Sequence, residues 1–243
     1  MAPPADPSLL RRNRLLALLD DRVLAALAAQ MSFVPMEVGE SVMSQGRAIR
    51  HAWFPVEGVI SMLAATQERG GRVEVGTIGK EGMAGVQLLL GRAHAQGDCF
   101  VQVVGQAWRM PAAAFQDAAR TFPALADTVL RYAHTLLVQA SQGCACNLTH
   151  SPLQRCARWL LMTHDRVNGD TFVLTQEYLG HMLGERRPTV SKVASTLKRR
   201  RLIAYSRGRI TVVDREGLED AACPCYRFIR DGYERVMGEG GRR

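Results

Sequence analysis

The sequence predicts an α+β chain in three parts: an antiparallel β-roll, a long helix, and a C-terminal helix-turn-helix with a wing. Three observations predict it. Short apolar runs punctuated by glycine fill residues 33–111. Helical spacing returns and is sustained from about Phe122 to Gly143. Leu174–Val213 reads as two short helices, a tight turn between them, and a basic strand.

Each part follows from its residues. Ser8–Met31 carries leucines and alanines at helical spacing, so one or two helices precede the roll; residues 1–7 read as an irregular lead. F-V-P-M-E-V, H-A-W-F-P-V, G-V-I-S-M-L-A-A-T, R-V-E-V-G-T-I and C-F-V-Q-V-V-G-Q-A-W are strand-length runs, and Gly39, Gly46, Gly58, Gly70-Gly71, Gly79 and Gly105 supply turns. Trp53, Trp108 and Trp159 read as core residues. The long helix has two apolar seams. One is Leu125, Val129, Tyr132 and Leu136; the other is Ala126, Leu130, Ala133, Leu137 and Ala140. A helix with two seams can pack on its own domain and on a second copy at once. Leu125, Val129, Tyr132, Leu136 and Leu137 are the expected dimer-interface residues. A break is expected at Asn147–Pro152, followed by a helix through S-P-L-Q-R-C-A-R-W-L-L-M-T-H-D-R. C-P-C-Y-R-F-I-R-D-G-Y-E-R-V-M reads as a last helix and G-E-G-G-R-R as a loose tail. The expected domains are 8–121, 122–149 and 150–236.

The segment 174–213 carries the chemistry. Thr175 can cap the first helix through its hydroxyl, although Tyr178 stands where a capping box has Glu or Gln. Leu179, Met182 and Leu183 form a buried stripe, and Gly184 can take the left-handed backbone that ends a helix. The second helix begins near Arg186 and Arg187, with Pro188 in its first turn, where a missing amide is tolerated. Val190, Val193, Ala194 and Leu197 face inward. Arg187, Thr189, Ser191, Lys192 and Ser195 are left outward, and Lys198-Arg199-Arg200-Arg201 closes the helix.

Charge separates the two halves. Residues 175–209 hold nine Lys/Arg against two Asp/Glu, while residues 1–149 hold thirteen against twelve, in a chain of net charge +8. A balanced first part and a basic second part point to a polyanionic partner for the second alone. Helix, turn, helix and strand in register make that partner double-stranded DNA. Within the interface, Arg187, Thr189, Ser191 and Lys192 are the expected base readers. Thr175, Arg186, Lys198, Arg199, Arg200, Arg207 and Arg209 are the expected phosphate contacts.

Glycine-rich roll, long helix, then helix-turn-helix and wing: this order resembles the Crp/Fnr family of bacterial transcription regulators, over roughly residues 20–220. The resemblance is most specific in L-T-Q-E-Y-L-G-H-M-L-G-E-R-R-P-T-V-S-K-V and F-P-V-E-G-V-I-S. It implies a cyclic-nucleotide-binding-like sensor domain, a homodimer with paired helices, and a palindromic DNA site. Such dimers set two recognition helices about 34 Å apart. In the family an arginine, the glutamate after it and a second basic residue read bases. Arg187 and Lys192 match the first and last; Pro188 replaces the glutamate and cannot accept from a cytosine amino group. The nucleotide-binding members' ribose glutamate has no equivalent in Met83–Val86, and their phosphate-pairing arginine falls near Gly97-Asp98. Arg92 is the nearby basic candidate, so Met83, Val86 and Arg92 are the candidate effector pocket. A buried phosphodiester without a cation is costly, which argues against cAMP. No cysteine precedes Cys99, which argues against an Fnr-type iron–sulfur cluster. The cofactor is left unassigned.

Six cysteines remain. Cys144-Ala-Cys146 and Cys223-Pro-Cys225 have chelating Cys-x-Cys spacing and are weak metal candidates, which His150 or His164 could join; small buried hydrophobes are the other reading, and no metal is assigned. No phosphate loop, nucleophile elbow or H-E-x-x-H motif is present, so an enzyme is not expected. No apolar run approaches the roughly 18 residues that span a bilayer, and the first residues lack a signal-peptide pattern, which gives a cytoplasmic expectation and no membrane partner. RNA polymerase is a candidate partner. The competing reading is a ligand- or redox-sensing module whose basic segment serves protein contacts.

Overall fold

A computed structural model describes residues 7–65 and 72–238; the expectations for residues 1–6, for the turn at Gly70-Gly71 and for the tail from 239 lie outside them. The described chain runs α1 (Pro7–Leu10), α2 (Asp21–Ala28), β1 (Ser32–Met36), β2 (Ser41–Met43), β3 (His51–Ala65), β4 (Arg72–Ile78), β5 (Asp98–Pro111), α3 (Ala112–Thr121), α4 (Pro123–Thr149), α5 (Pro152–His164), β6 (Thr171–Val173), α6 (Gln176–Leu183), α7 (Arg187–Arg199), β7 (Ile203–Ser206), β8 (Arg209–Val212), α8 (Arg215–Ala221) and α9 (Cys225–Gly238). Single-turn 3₁₀ segments lie at Leu16–Leu18 and Val86–Leu88. The expected α+β order is present. Pro7, expected in the irregular lead, already opens α1.

Two compact units divide the chain. The first comprises the described residues of Met1–Met62, Thr77–Leu137 and Gly232–Arg243; the second comprises those of Leu63–Gly76 and Val138–Asp231. The roll sheet has the strand order β1-β5-β3-β4, with β2 also on β5. β1 pairs antiparallel with β5 from Ser32↔Arg109 to Met36↔Gly105. Trp53 and Trp108 are buried in this unit and Trp159 in the second. Asn13 is fully buried and fully used. Its amide donates to the carbonyls of Pro55 and Gly82, at 2.7 and 2.9 Å, and its oxygen accepts from Leu16 N–H at 3.0 Å. A buried amide so satisfied fixes the loop after α1 on the roll.

α4 is 27 residues long and runs six residues beyond Gly143. Nothing from Cys144 to Thr149 breaks a helix, and the amide of His150 still donates to Cys146 at 3.1 Å. The break falls at Ser151, which Pro152 forces out of the helical region (φ −63°, ψ 154°). Ser151 then forms a reciprocal capping box with Gln154.

The two seams of α4 have different fates. Leu125, Val129, Tyr132 and Leu136 are 1, 0, 0 and 8% exposed. That corrects their assignment to the dimer interface, because surface already buried inside one chain cannot be buried again against another. Leu137, at 65% exposed, remains available. Tyr132 shows how the inner seam is held. Its hydroxyl donates to the Met83 carbonyl at 3.2 Å, and its ring lies where a Cβ on Gly82 would approach to 2.3 Å. Only glycine leaves room for that ring. Gly82→Ala is expected to lower stability by about 1–3 kcal/mol through overpacking, read as a reduced denaturant midpoint at unchanged slope.

Candidate nucleic-acid interface

The second unit builds its outer helix face from local rules. The Thr175 hydroxyl accepts from the Tyr178 amide at 3.3 Å and starts α6. Gly184 ends it at φ +61°, in the left-handed region that glycine occupies without cost. Arg186 takes the extended N-cap conformation, α7 follows, and Pro188 sits in its first turn. Arg186 makes no side-chain capping hydrogen bond to the first turn of α7. A helix N-terminus of this kind, flanked by two arginines, favours an anion.

The burial of α7 is one-sided. Val190, Val193, Ala194 and Leu197 are buried, as their spacing predicts. Arg187, Lys192 and Ser195 are exposed, and Thr189 and Ser191 are half-buried on the same outward side. The helix ends in a Schellman arrangement: Leu202 N–H donates to the Leu197 carbonyl and Arg201 N–H to that of Lys198, at 3.1 and 2.9 Å. Arg201 thereby takes φ +59°, a conformation that costs a side-chain-bearing residue roughly 1–2 kcal/mol.

The wing is a three-stranded antiparallel sheet of order β6-β8-β7. Its hairpin turns at Arg207-Gly208, with φ of +49° and +73°, the sign pattern of a type I′ turn. Arg207 and Arg209 are exposed on it, as are Thr175, Arg186, Lys198, Arg199 and Arg200 elsewhere on the unit. Lys198 Nζ reaches the Tyr205 carbonyl at 3.5 Å. The expected base and phosphate residues therefore occupy solvent-facing positions on α7, its flanks and the wing.

Two anchoring groups were not anticipated from the sequence. Arg155 of α5 is buried and donates to the Leu183 carbonyl at 3.0 Å, to Glu185 at 2.6 Å and to Asn147 at 3.3 Å. It thus grips the turn between α6 and α7. The available signal was a cation four residues before Trp159, on the apolar face of α5. Arg215 donates to His164 Nδ1, Asp165 and the Tyr226 hydroxyl, each at 2.7 Å, while His164 Nε2 faces Asp170 at 2.9 Å. Both ring nitrogens of His164 are engaged in that network, and no metal role is left for it.

The remaining sequence candidates separate. Met83 and Val86 are buried in the first unit, whereas Arg92 is exposed beyond the turn at Gly91. Asp98 accepts from the Gln45 amide at 2.9 Å. Cys99 and Cys156 are buried thiols pushed up to about 12 by desolvation, the behaviour of inert packing groups. Cys144 is exposed and stands apart from Cys146, Cys223 and Cys225, which are buried together. His150 joins those three.

Comparison with known proteins agrees with this geometry. Residues 154–221 match the family model of the Crp-like helix-turn-helix domain. No curated protein sequence matches the chain. The structure of FixK2 from Bradyrhizobium japonicum is similar with a TM-score of 0.67 at 14% identity, over 79% of this chain and 98% of that one. A Crp/Fnr-family transcriptional regulator from Eubacterium rectale, described as putative, gives 0.66 at 14% identity, over 87% and 98%. TTHA1359, a Crp/Fnr-family transcriptional regulator from Thermus thermophilus, gives 0.63 at 20%, over 79% and 98%. No helix among the described residues is long and apolar enough to cross a membrane.

Two outcomes test the anchoring of α7. Arg155→Ala is expected to remove about 2–3 kcal/mol of stability, because it strands Glu185 and the Leu183 carbonyl; thermal unfolding measures it. Arg201→Gly is expected to raise stability by about 1 kcal/mol by relieving the positive φ, while weakening binding to any duplex through loss of one cation.

Proposed function

We propose that this chain, which carries a Crp-like helix-turn-helix domain in the fold of Crp/Fnr transcription regulators, works as a signal-controlled homodimer that reads a palindromic DNA site. The observation that carries the reading is the division of α7: one face is sealed by Val190, Val193, Ala194 and Leu197, and the other is open, polar and basic. Arg187, Thr189, Ser191 and Lys192 reach base edges in the major groove, with Arg187 bidentate to a guanine. Thr175, Arg186, Lys198, Arg199, Arg200, Arg207 and Arg209 hold phosphates and fix the register. Pro188 offers no acceptor to a cytosine, so the half-site differs from that of members with glutamate there.

The second seam of α4 supports the dimer. Leu130 and Leu137 are 46 and 65% exposed, and Leu148 is 88% exposed. With Ala126, Ala133, Ala140 and Cys144 they recur at three- and four-residue steps, the pattern of a coiled-coil seam. Large leucines left in water at that spacing are accounted for by a second copy of the helix.

The signal is a small molecule or a redox change received in the roll, and not cAMP. The Tyr132–Met83 hydrogen bond supports a route for it. A ligand that reorganises the chain around Gly82–Val86 breaks or remakes a contact with the inner seam of α4, shifting the population between two dimer states.

Fluorescence anisotropy with duplexes from the parent genome, over a salt series, tests the reading; no duplex bound more tightly than random DNA would overturn it. Arg187→Ala is expected to cost about 1–3 kcal/mol and to relax selectivity at one base pair. Arg200→Ala should weaken all duplexes alike and lower the salt slope by about one. Leu137→Glu is expected to leave a folded monomer in sedimentation, with binding to the palindrome sharply reduced.

A further inference from the structure

Cys146, His150, Cys223 and Cys225 each offer one ligand atom, and these four atoms all lie within 4.8 Å of one another. Cys146 lies four residues before His150 at the end of α4, so both side chains share a face. Cys223 and Cys225 flank Pro224 where α9 begins. Two helix ends remote from each other in sequence thus converge on one point through their soft donors. The Cys146 and Cys223 sulfurs are 3.4 Å apart, and Cys225 Sγ is 3.6 Å from His150 Nδ1. A tetrahedral zinc ion with sulfur at about 2.3 Å and nitrogen at about 2.05 Å has S···S edges of about 3.8 Å and S···N edges of about 3.6 Å. The spacing already approaches that cage.

The surroundings suit it. Three buried cysteines form their own small cluster, and packing alone gives no reason for an imidazole nitrogen to face a thiol among them. Gln142 Nε2 donates to Cys225 Sγ at 3.0 Å, the kind of outer partner that orients a ligand. Three thiolates and a neutral imidazole around a divalent cation leave one net negative charge, and the Arg158 guanidinium lies within electrostatic range of Cys146 to offset it.

We propose that Cys146, His150, Cys223 and Cys225 form a closed, four-ligand structural site for a zinc-class divalent cation, stapling the last turn of α4 to the start of α9. Cys₃His is a closed set with no open position, so the site holds structure and does not activate water. Binding releases the thiol protons to solvent as each sulfur enters the coordination sphere, with no change of oxidation state. The proposal stands apart from DNA reading and is tested without DNA.

The experiment uses the full chain, stripped with chelator under reducing conditions and titrated with Co(II), then Zn(II). One equivalent of Co(II) per protomer is expected, with the intense d–d bands of tetrahedral cobalt, a sulfur-to-cobalt charge-transfer band, and displacement of both by Zn(II). Zn(II) should raise Tm by roughly 5–10 °C. Cys223→Ser should weaken Co(II) binding by more than the roughly 100-fold that losing an outer partner costs. His150→Ala, at a half-buried position, keeps the question open to test where a cysteine variant fails to fold; it should weaken binding and shift the d–d bands. Cys144→Ser and Cys99→Ser should leave the Co(II) affinity and its d–d bands unchanged. Octahedral or absent cobalt spectra, or unchanged binding in His150→Ala and Cys223→Ser, would overturn the site. So would a Cys146–Cys223 disulfide whose reduction yields a protein that takes up no cobalt.

Discussion

A buried guanidinium governs the second unit. Arg155 is almost wholly removed from water, and a cation in that position is costly unless it is paired and hydrogen-bonded. It finds its partners in three separate segments: Asn147 near the end of α4, the Leu183 carbonyl at the end of α6, and Glu185 in the turn that follows. The last two define where α6 stops and α7 starts. The direction of the outward helix is therefore set by an electrostatic requirement on a different helix, and the hydrophobic stripe of α7 then fills the space so defined.

Strain is concentrated on the same side. Arg201 and Arg207 are the positive-φ residues other than glycine among those described, and both are exposed arginines, one closing α7 and one turning the wing. A glycine at either position would relieve the backbone. Keeping arginine gives up stability to place a cation, which is the pattern expected where a basic surface is wanted more than an unstrained turn.

α4 meets a different constraint. Its inner seam is consumed by its own domain, down to the Tyr132 ring that lies on Gly82. Its outer seam leaves leucines in water. Sequence periodicity recognises two seams and cannot say which is inner, because leucine and alanine at helical spacing look alike from either side. That is why Leu125, Val129, Tyr132 and Leu136 were expected at an interface they cannot reach, while Leu130 stands exposed.

The order of elements, the caps at Thr175 and Gly184, the buried stripe of α7 and the concentration of charge on its other face were all legible in the linear chain. These are local quantities: propensity, periodicity and net charge are properties of contiguous residues. Which seam of α4 is free, which cation locks the turn, and which of the Cys-x-Cys residues converge were settled by packing in three dimensions. Cys144 and Cys146 differ by two positions, about 200° around a helix, so one faces solvent and the other meets Cys223, Cys225 and His150. Convergence of that kind depends on distances between segments remote in the chain, which no local pattern encodes.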